Sequence, residues 1–280
     1  MLKNPYILFH LNKKFNLKDK KIKCINENVL LFDKKIIKAE SQIFKILIDD
    51  IKKIYKIYNN KFLPNYKFLC KENIYYYDLT SGNLLSHHKC NFLNKRKLYN
   101  NIIEFIKKTK SIKTKNFNKI SKNQTEIKSD NISFIFLEKQ YIQQFSKKNI
   151  KLYNDIIILY NSIKGKKLKS HKKMLFYIDF NYHNFIIDEK YNITRIDLSE
   201  GLSFYDYLQV IPYYIALLWK TNDINLVKKG IIECNLKREK DIILKMSFIL
   251  YCLYMFRSFK KSPKDLKFNR NIFKTIKSLS

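Results

Sequence analysis

The sequence predicts an α+β protein: a small strand-rich N-terminal part, a polar connection, and a larger, mainly helical C-terminal part that holds one hairpin. Three observations predict it. Short β-branched runs separated by Asn, Asp and Lys crowd the first eighty or so positions, as strands and tight turns require. Beyond them, apolar residues recur mostly at three- and four-residue steps, the helical period. One stretch breaks that rhythm, "FYIDFNYHNFIIDEKYNITRIDLSEG" at 176–201, with strand-like apolar runs on either side of a turn at "DEKYN".

In chain order, "KKIKCI" and "VLLFD" read as strands, and "KKIIKAE" as a third after a tight polar turn. A helix follows in "ESQIFKILIDDIKKIYKIY", where Ile43, Phe44, Leu47, Ile51, Ile54 and Ile57 make one apolar face and Glu40 sits in the first turn, the end a helix dipole favours for an acid. Strand character returns in "FLPNYKFLCKENIYYYDL", with Pro64 before it, a turn at Lys71 to Asn73 and a stop at "TSGN". Residues 108–131 are lysine-rich and nearly free of paired apolar positions, which predicts a loop. "ISFIFLEKQYIQQFSKKNIKLYNDIIILYNSIK" then supports one or two long helices. Beyond Gly201 the pattern reads as helical almost to the end.

The chain has 280 residues, 46% of them hydrophobic, enough for one large domain or two packed lobes. Its net charge of +32 invites a polyanion partner. The only arginines, however, are Arg96, Arg195, Arg238, Arg257 and Arg270, so the charge is almost all lysine spread beside abundant Asn, Ile and Tyr. That is the mark of an AT-rich genome on a solvated surface. No specific nucleic-acid partner is expected, since such modules concentrate Arg; peripheral contact with an anionic surface stays open. Cys24, Cys70, Cys90, Cys234 and Cys252 are odd in number and widely spaced, and no apolar run is long enough to span a bilayer. Both point to the cytoplasm, with no transmembrane segment.

The chemistry concentrates in 176–201. Core strands avoid carboxylates, because an uncompensated buried charge costs several kcal/mol. Yet Asp179, Asn184 and Asp197 stand on apolar stretches, Asn184 five positions after Asp179 and Asp197 thirteen after Asn184. A hairpin of that length can bring Asn184 and Asp197 to one end, where two oxygen ligands suit Mg²⁺ completed by phosphates and water. Asp179 would stand nearby to orient a hydroxyl, as phosphoryl transfer needs.

The pattern D-x-x-x-x-N, an apolar strand, a turn and "IDLSEG" resembles the catalytic loop and metal-binding segment of protein-kinase-like phosphotransferases. More narrowly, "IDFNYHNFIIDEKYNITRIDLSEGLSFYDYL" is similar to the aminoglycoside phosphotransferase and choline kinase-like family, and within it to the spore-coat-associated kinase-like branch. The resemblance implies a two-lobed protein-kinase-like fold, with residues 1–80 as a nucleotide-binding lobe and 81–280 as the catalytic and substrate lobe, and ATP and Mg²⁺ as cofactors. It implies Asp179 as catalytic base, Asn184 and Asp197 as Mg²⁺ ligands, and Asp206 of "FYDYL" as a carboxylate that braces the catalytic loop. Lys38 would contact the α- and β-phosphates with Glu40 as its helical partner, and Tyr76, Tyr77, Asp78 and Leu79 would form the hinge beside the adenine. Two departures stand out: Tyr177 and Ile178 replace the usual His and Gly before the catalytic Asp, and the first turn, "INEN", has no glycine.

Each residue also has a plainer reading. Asp179, Asn184 and Asp197 would be turn residues, Asp206 the N-cap of the next helix, and Glu40 a first-turn acid, while Lys35 could replace Lys38. His183 is read as packing or orienting substrate, and the runs "IYYY" and "IPYYI" as core. The function expected is an ATP- and Mg²⁺-dependent phosphotransferase acting on a hydroxyl of a small molecule or glycan-like envelope component, an anionic acceptor suiting so basic a chain. The competing expectation is a kinase-like structural or binding protein without turnover.

Overall fold

The computed structural model describes residues 9, 12–13, 22–26, 29–39, 43–59, 61–69, 74–86, 92–117, 150–164, 166, 168, 170–177, 180–197, 202–258 and 274–279. Strands β1 (Ile22–Asn26), β2 (Val29–Phe32), β3 (Lys35–Ala39), β4 (Lys67–Leu69) and β5 (Ile74–Asp78) form one antiparallel sheet in the order β1-β2-β3-β5-β4. The β2–β3 turn is Asp33–Lys34, both at left-handed φ (44° and 57°), the conformation that matches a two-residue hairpin turn to the strand twist. Helix α1 (Ile43–Ile57) crosses over between β3 and β4, and its predicted apolar face buries Ile51 and Ile54.

The chain leaves this sheet through Leu79 to Gly82. Gly82 has φ +126°, and a Cβ there would lie 2.3 Å from the Ile187 carbonyl oxygen, so only glycine permits the approach. Strand β6 (Asn83–Leu84) pairs with β8 (Phe185–Ile187), which pairs with β9 (Ile193–Arg195); β7 (Lys173–Tyr177) pairs with β10 (Leu202–Asp206). The longer helices that follow among the described residues are α2 (Lys95–Ser111), α3 (Ile150–Ile163), α4 (Tyr207–Leu218), α5 (Ile224–Glu233) and α6 (Lys240–Ser258), with a short helical stretch at 274–279. Helix α4 is buried nearly all round, from Val210 through Leu218, and so forms the axis of the C-terminal part. No helix among the described residues is long and apolar enough to cross a membrane.

Three boundaries differ from the sequence reading. The expected loop at 108–131 begins later, because α2 continues to Ser111, and Ile112 and Phe117 are each 1% exposed; single apolar residues held by distant partners leave no periodic signal. Residues 118–131 lie outside the described part. The segment after Gly201 is a strand before it is a helix: Leu202–Asp206 pairs in full with β7. The expected stop at "TSGN" is only a pause, since Asn83 and Leu84 re-enter a sheet.

Candidate active site

The segment between β7 and β8 is held from below by aromatic residues. In "FNYHN" the apolar anchors are Phe180 and Tyr182, both buried. The Phe180 ring lies 4.9 Å from that of Tyr214 and 5.3 Å from Phe185, and the Tyr182 hydroxyl donates to the Ala216 carbonyl at 2.6 Å. Asn181 accepts from the His183 N–H through its side chain at 3.1 Å, capping a short 3₁₀ turn, Tyr182–Asn184. Asn184 thereby ends that turn at the mouth of β8, 9% exposed.

The hairpin then returns. Asp188 closes the turn on itself, its carboxylate accepting from the Lys190 and Asn192 N–H groups at 2.9 and 2.8 Å. Because Phe185 pairs with Arg195, Asn184 falls opposite Ile196, and the Ile196 N–H donates to the Asn184 carbonyl at 2.9 Å. The hairpin thus ties Asn184 to Ile196, the residue next to Asp197.

From the other side comes Lys38. Its register opposite Tyr75, with Ile36 opposite Tyr77, puts Lys38, Tyr75 and Tyr77 on one face of the sheet. The Lys38 ammonium meets the Asp197 carboxylate at 2.8 Å, with both side chains largely withdrawn from water. Lys35, three positions earlier and on the other face, pairs instead with the exposed Asp78 at 3.2 Å. Between the two candidate lysines, Lys38 is the one joined to Asp197.

The remaining predicted residues are placed as follows. Tyr76 and Tyr77 are buried in β5, as expected of core tyrosines, on opposite faces of the sheet. Asp78 ends that strand, and Leu79 is 48% exposed, its N–H donating to the Lys34 carbonyl at 2.6 Å. Asp206 is the N-cap of α4: one carboxylate oxygen accepts from the Leu208 N–H at 2.9 Å, the other from the Ser170 N–H at 2.7 Å. Those bonds fix the helix start and the approach to β7, the plainer of its two readings, and neither runs to residues 180–184. Asp179 and Glu40 lie outside the described residues.

Several supports escaped the sequence reading. Tyr177, standing where the resembling family has His, ends a buried hydroxyl chain. Thr109 donates to the Phe105 carbonyl at 2.7 Å, so Tyr58 must donate to Thr109 (2.7 Å) and Tyr177 to Tyr58 (3.1 Å). Burial pushes the Tyr58 phenol up to about 12, against the lowering effect of its two hydrogen bonds, so the chain stays neutral. Arg195 is 1% exposed, its guanidinium 5.3 Å from the Tyr177 ring centre and 5.1 Å from that of Phe185. Burial, and then the negative charge of Asp197, hold the Tyr77 phenol far above its usual range.

Asn184 and Asp197 offer a metal one amide and one carboxylate. No group of three or more His, Cys, Asp or Glu among the described residues could hold a metal by itself. Such a pair fits a hard cation that keeps waters and shares phosphate oxygens, not a closed protein cage. A cavity of about 490 Å³ elsewhere, lined by Tyr99, Glu104, Lys107, Lys229 and Glu233, has its acids already engaged: Glu233 with Tyr99 and Lys107, Glu104 with Lys61.

No protein-family model and no curated protein matches the sequence. Solved structures do match the fold. The gentamicin complex of aminoglycoside phosphotransferase APH(2")-IIa superimposes with a TM-score of 0.55 at 15% identity, over 100% of this chain and 96% of that one. ADP-bound APH(2'')-Ib gives 0.54 at 13% identity, over 98% and 97%. A thermostable mutant of APH(4)-Ia, in a ternary complex with AMP-PNP and hygromycin B, gives 0.51 at 12% identity, over 99% of both chains. The chain therefore has the two-lobed, protein-kinase-like fold of the aminoglycoside phosphotransferases over essentially its whole length.

Proposed function

We propose that this chain is an ATP- and Mg²⁺-dependent phosphotransferase that acts on a hydroxyl of a small molecule or glycan-like acceptor. The observation that carries the reading is the 2.8 Å ion pair of Lys38, from the N-terminal sheet, with Asp197, whose neighbour Ile196 is bonded through its N–H to the Asn184 carbonyl at 2.9 Å. Fold likeness alone would not support an activity. Nucleotides and aminoglycosides bound by the solved neighbours are consistent with a nucleotide beside Lys38 and a small acceptor facing it.

In this reading Lys38 contacts the α- and β-phosphates, and Asn184 and Asp197 hold Mg²⁺ through an amide oxygen and a carboxylate. The metal would neutralise charge developing on the phosphates. Asp179 takes the proton of the acceptor hydroxyl as that oxygen attacks the γ-phosphorus, and ADP leaves with the electrons of the broken P–O bond. An acceptor bearing phosphate or carboxylate suits a chain of net charge +32 better than a polycationic antibiotic does.

The test is transfer from γ-labelled ATP to a metabolite panel, with calorimetric titration of nucleotide in the presence and absence of Mg²⁺. Asp179→Asn is expected to abolish transfer and leave Mg·ATP binding nearly intact, whereas Asp197→Ala loses the metal-dependent part of binding. Equal behaviour of the two variants would refute the assigned roles. The glycine-free first turn favours one second reading, a kinase-like binding protein without turnover. Native-state binding at a hundredfold excess over Kd would stabilise the fold by about 2.7 kcal/mol. Absence of any melting shift at millimolar Mg·ATP selects the second reading.

A further inference from the structure

We infer that Tyr66 is a positioning residue for Asp197: through its hydroxyl, the N-terminal lobe fixes the peptide that carries the metal-holding carboxylate. This inference rests on the phosphotransferase reading.

Tyr66 lies just before β4, in the connection from α1. Its hydroxyl donates to the Ile196 carbonyl at 3.2 Å, the oxygen of the peptide unit immediately before Asp197. The preceding peptide unit is held too, since the Ile196 N–H donates to the Asn184 carbonyl at 2.9 Å. One residue earlier, the Arg195 N–H donates to the Phe62 carbonyl at 2.7 Å. Three successive backbone groups, the Arg195 and Ile196 N–H and the Ile196 carbonyl, are therefore tied down, two of them to residues 62–66. Phe62 is buried and has φ +60°, a conformation costly for a bulky side chain, which persists only where surrounding contacts impose it. Its carbonyl, in that conformation, accepts from the Arg195 N–H.

The ring of Tyr66 is fixed as firmly as its hydroxyl. It meets Tyr75 and Tyr77 edge-on, at 5.5 and 5.3 Å between centres, and both belong to the sheet face that bears Lys38. Lys38 and Tyr66 thus reach the Asp197 segment from one rigid support, the first by charge, the second by backbone geometry. Burial, reinforced by the negative charges that Tyr77 and Asp197 can carry, holds the Tyr66 phenol well above its ordinary range. It therefore stays protonated, and so a donor, near neutral pH.

The consequence is that the Asp197 carboxylate is oriented before ligand arrives, and its orientation follows the N-terminal lobe. Tyr66→Phe removes the donor and keeps the aromatic contacts, so the fold survives. Tyr207→Phe is the matched control, because it loses a hydroxyl-to-carbonyl bond, to Cys234 at 2.8 Å, in the C-terminal part.

Two measurements test the inference on the full chain. Hydrogen exchange in the ligand-free protein is expected to quicken about fivefold at residues 195–197 in Tyr66→Phe, the worth of one net hydrogen bond, and not in Tyr207→Phe. Calorimetry with ATP is expected to show about fivefold weaker binding for Tyr66→Phe in Mg²⁺ and unchanged binding in EDTA. Unchanged exchange overturns the inference whatever the nucleotide does. Quickened exchange in a protein whose wild type binds no Mg·ATP overturns the phosphotransferase reading and, with it, the metal-positioning role. Equal weakening with and without Mg²⁺ also overturns that role, since it would make Tyr66 a general support of the cleft.

Discussion

Replacing Lys38 with Met should have opposite effects on the two ligands proposed for the site, Mg²⁺ and ATP. The ammonium rests on one Asp197 oxygen at 2.8 Å. A cation on the other carboxylate oxygen, about 2.1 Å from it, would lie about 5 Å from that ammonium. A single and a double positive charge at about 5 Å repel by about 1.7 kcal/mol even at the dielectric of water, and by about 7 kcal/mol at an effective value of 20. On the proposed assignment, Mg²⁺ alone should therefore be disfavoured in the intact protein by at least about tenfold. Triphosphate reverses the balance, because its negative oxygens satisfy lysine and metal together.

Lys38→Met keeps the aliphatic bulk that the sheet buries and removes only the charge. Binding of Mg²⁺ alone should tighten by about tenfold or more. Mg·ATP should weaken by about tenfold to a hundredfold, the worth of a charge-assisted hydrogen bond, about 1.5–3 kcal/mol. Removing this cation from beside a carboxylate whose side chain is 26% exposed should also lower stability, by about 1–3 kcal/mol, less than for a fully buried pair. Calorimetric titrations of Mg²⁺, ATP and Mg·ATP on wild type and variant measure the first two effects, and urea unfolding the third. Both ligands moving in the same direction would refute the reasoning, because a lysine remote from the metal position has no reason to discriminate between them.

Other expectations follow from single contacts. Gly82→Ala should cost about 2–4 kcal/mol in urea unfolding, since both its φ and the Ile187 carbonyl oppose a Cβ; Gly230→Ala, which meets side chains alone, the ends of Leu218 and Ile103 and the Tyr99 ring, should cost less. Asp206→Ala should destabilise by about 1–2 kcal/mol through loss of the α4 cap, with Mg²⁺-dependent nucleotide affinity unchanged. Tyr58→Phe and Thr109→Val should each cost about 1–3 kcal/mol, but the double variant clearly less than their sum, because both break the same buried hydroxyl chain; additive costs in the unfolding midpoints would disprove the chain.

What the sequence made legible was local. Strands β1 to β5, helix α1 and the 188–192 turn announce themselves through period and punctuation, signals that act over a few residues. Strand β10 does not, because "LSFYD" is short, adjoins a helix and buries Leu202, Ser203 and Phe204 in succession, so no alternation marks it. Helix α2 has the periodic set Leu98, Ile102, Phe105 and Ile106, all buried, but its last turn runs into the lysine-rich stretch from 108, which reads as a loop. Distant partners decide such segments, and composition does not contain them.

The same division runs through the site. The hairpin that carries Asn184 and Asp197 was legible because it is a local object whose length sets which backbone positions meet, and the strand of Lys38 because that lysine has an apolar neighbour on either side. Nothing local indicates Tyr66, Phe62 or Tyr58, whose functional groups meet partners at least 51 positions away in the chain. Yet two of these residues, Phe62 and Tyr66, tie down the backbone just before Asp197. Tyr177, a departure from the resembling pattern, is not a vacancy: its hydroxyl continues into Tyr58 and Thr109, and its ring lies against the Arg195 guanidinium. A His in that position could not supply both a long reach to Tyr58 and a broad face for Arg195. The change from His to Tyr therefore goes with a different way of supporting the strand end before residue 179, and by itself gives no ground for reading the site as derelict.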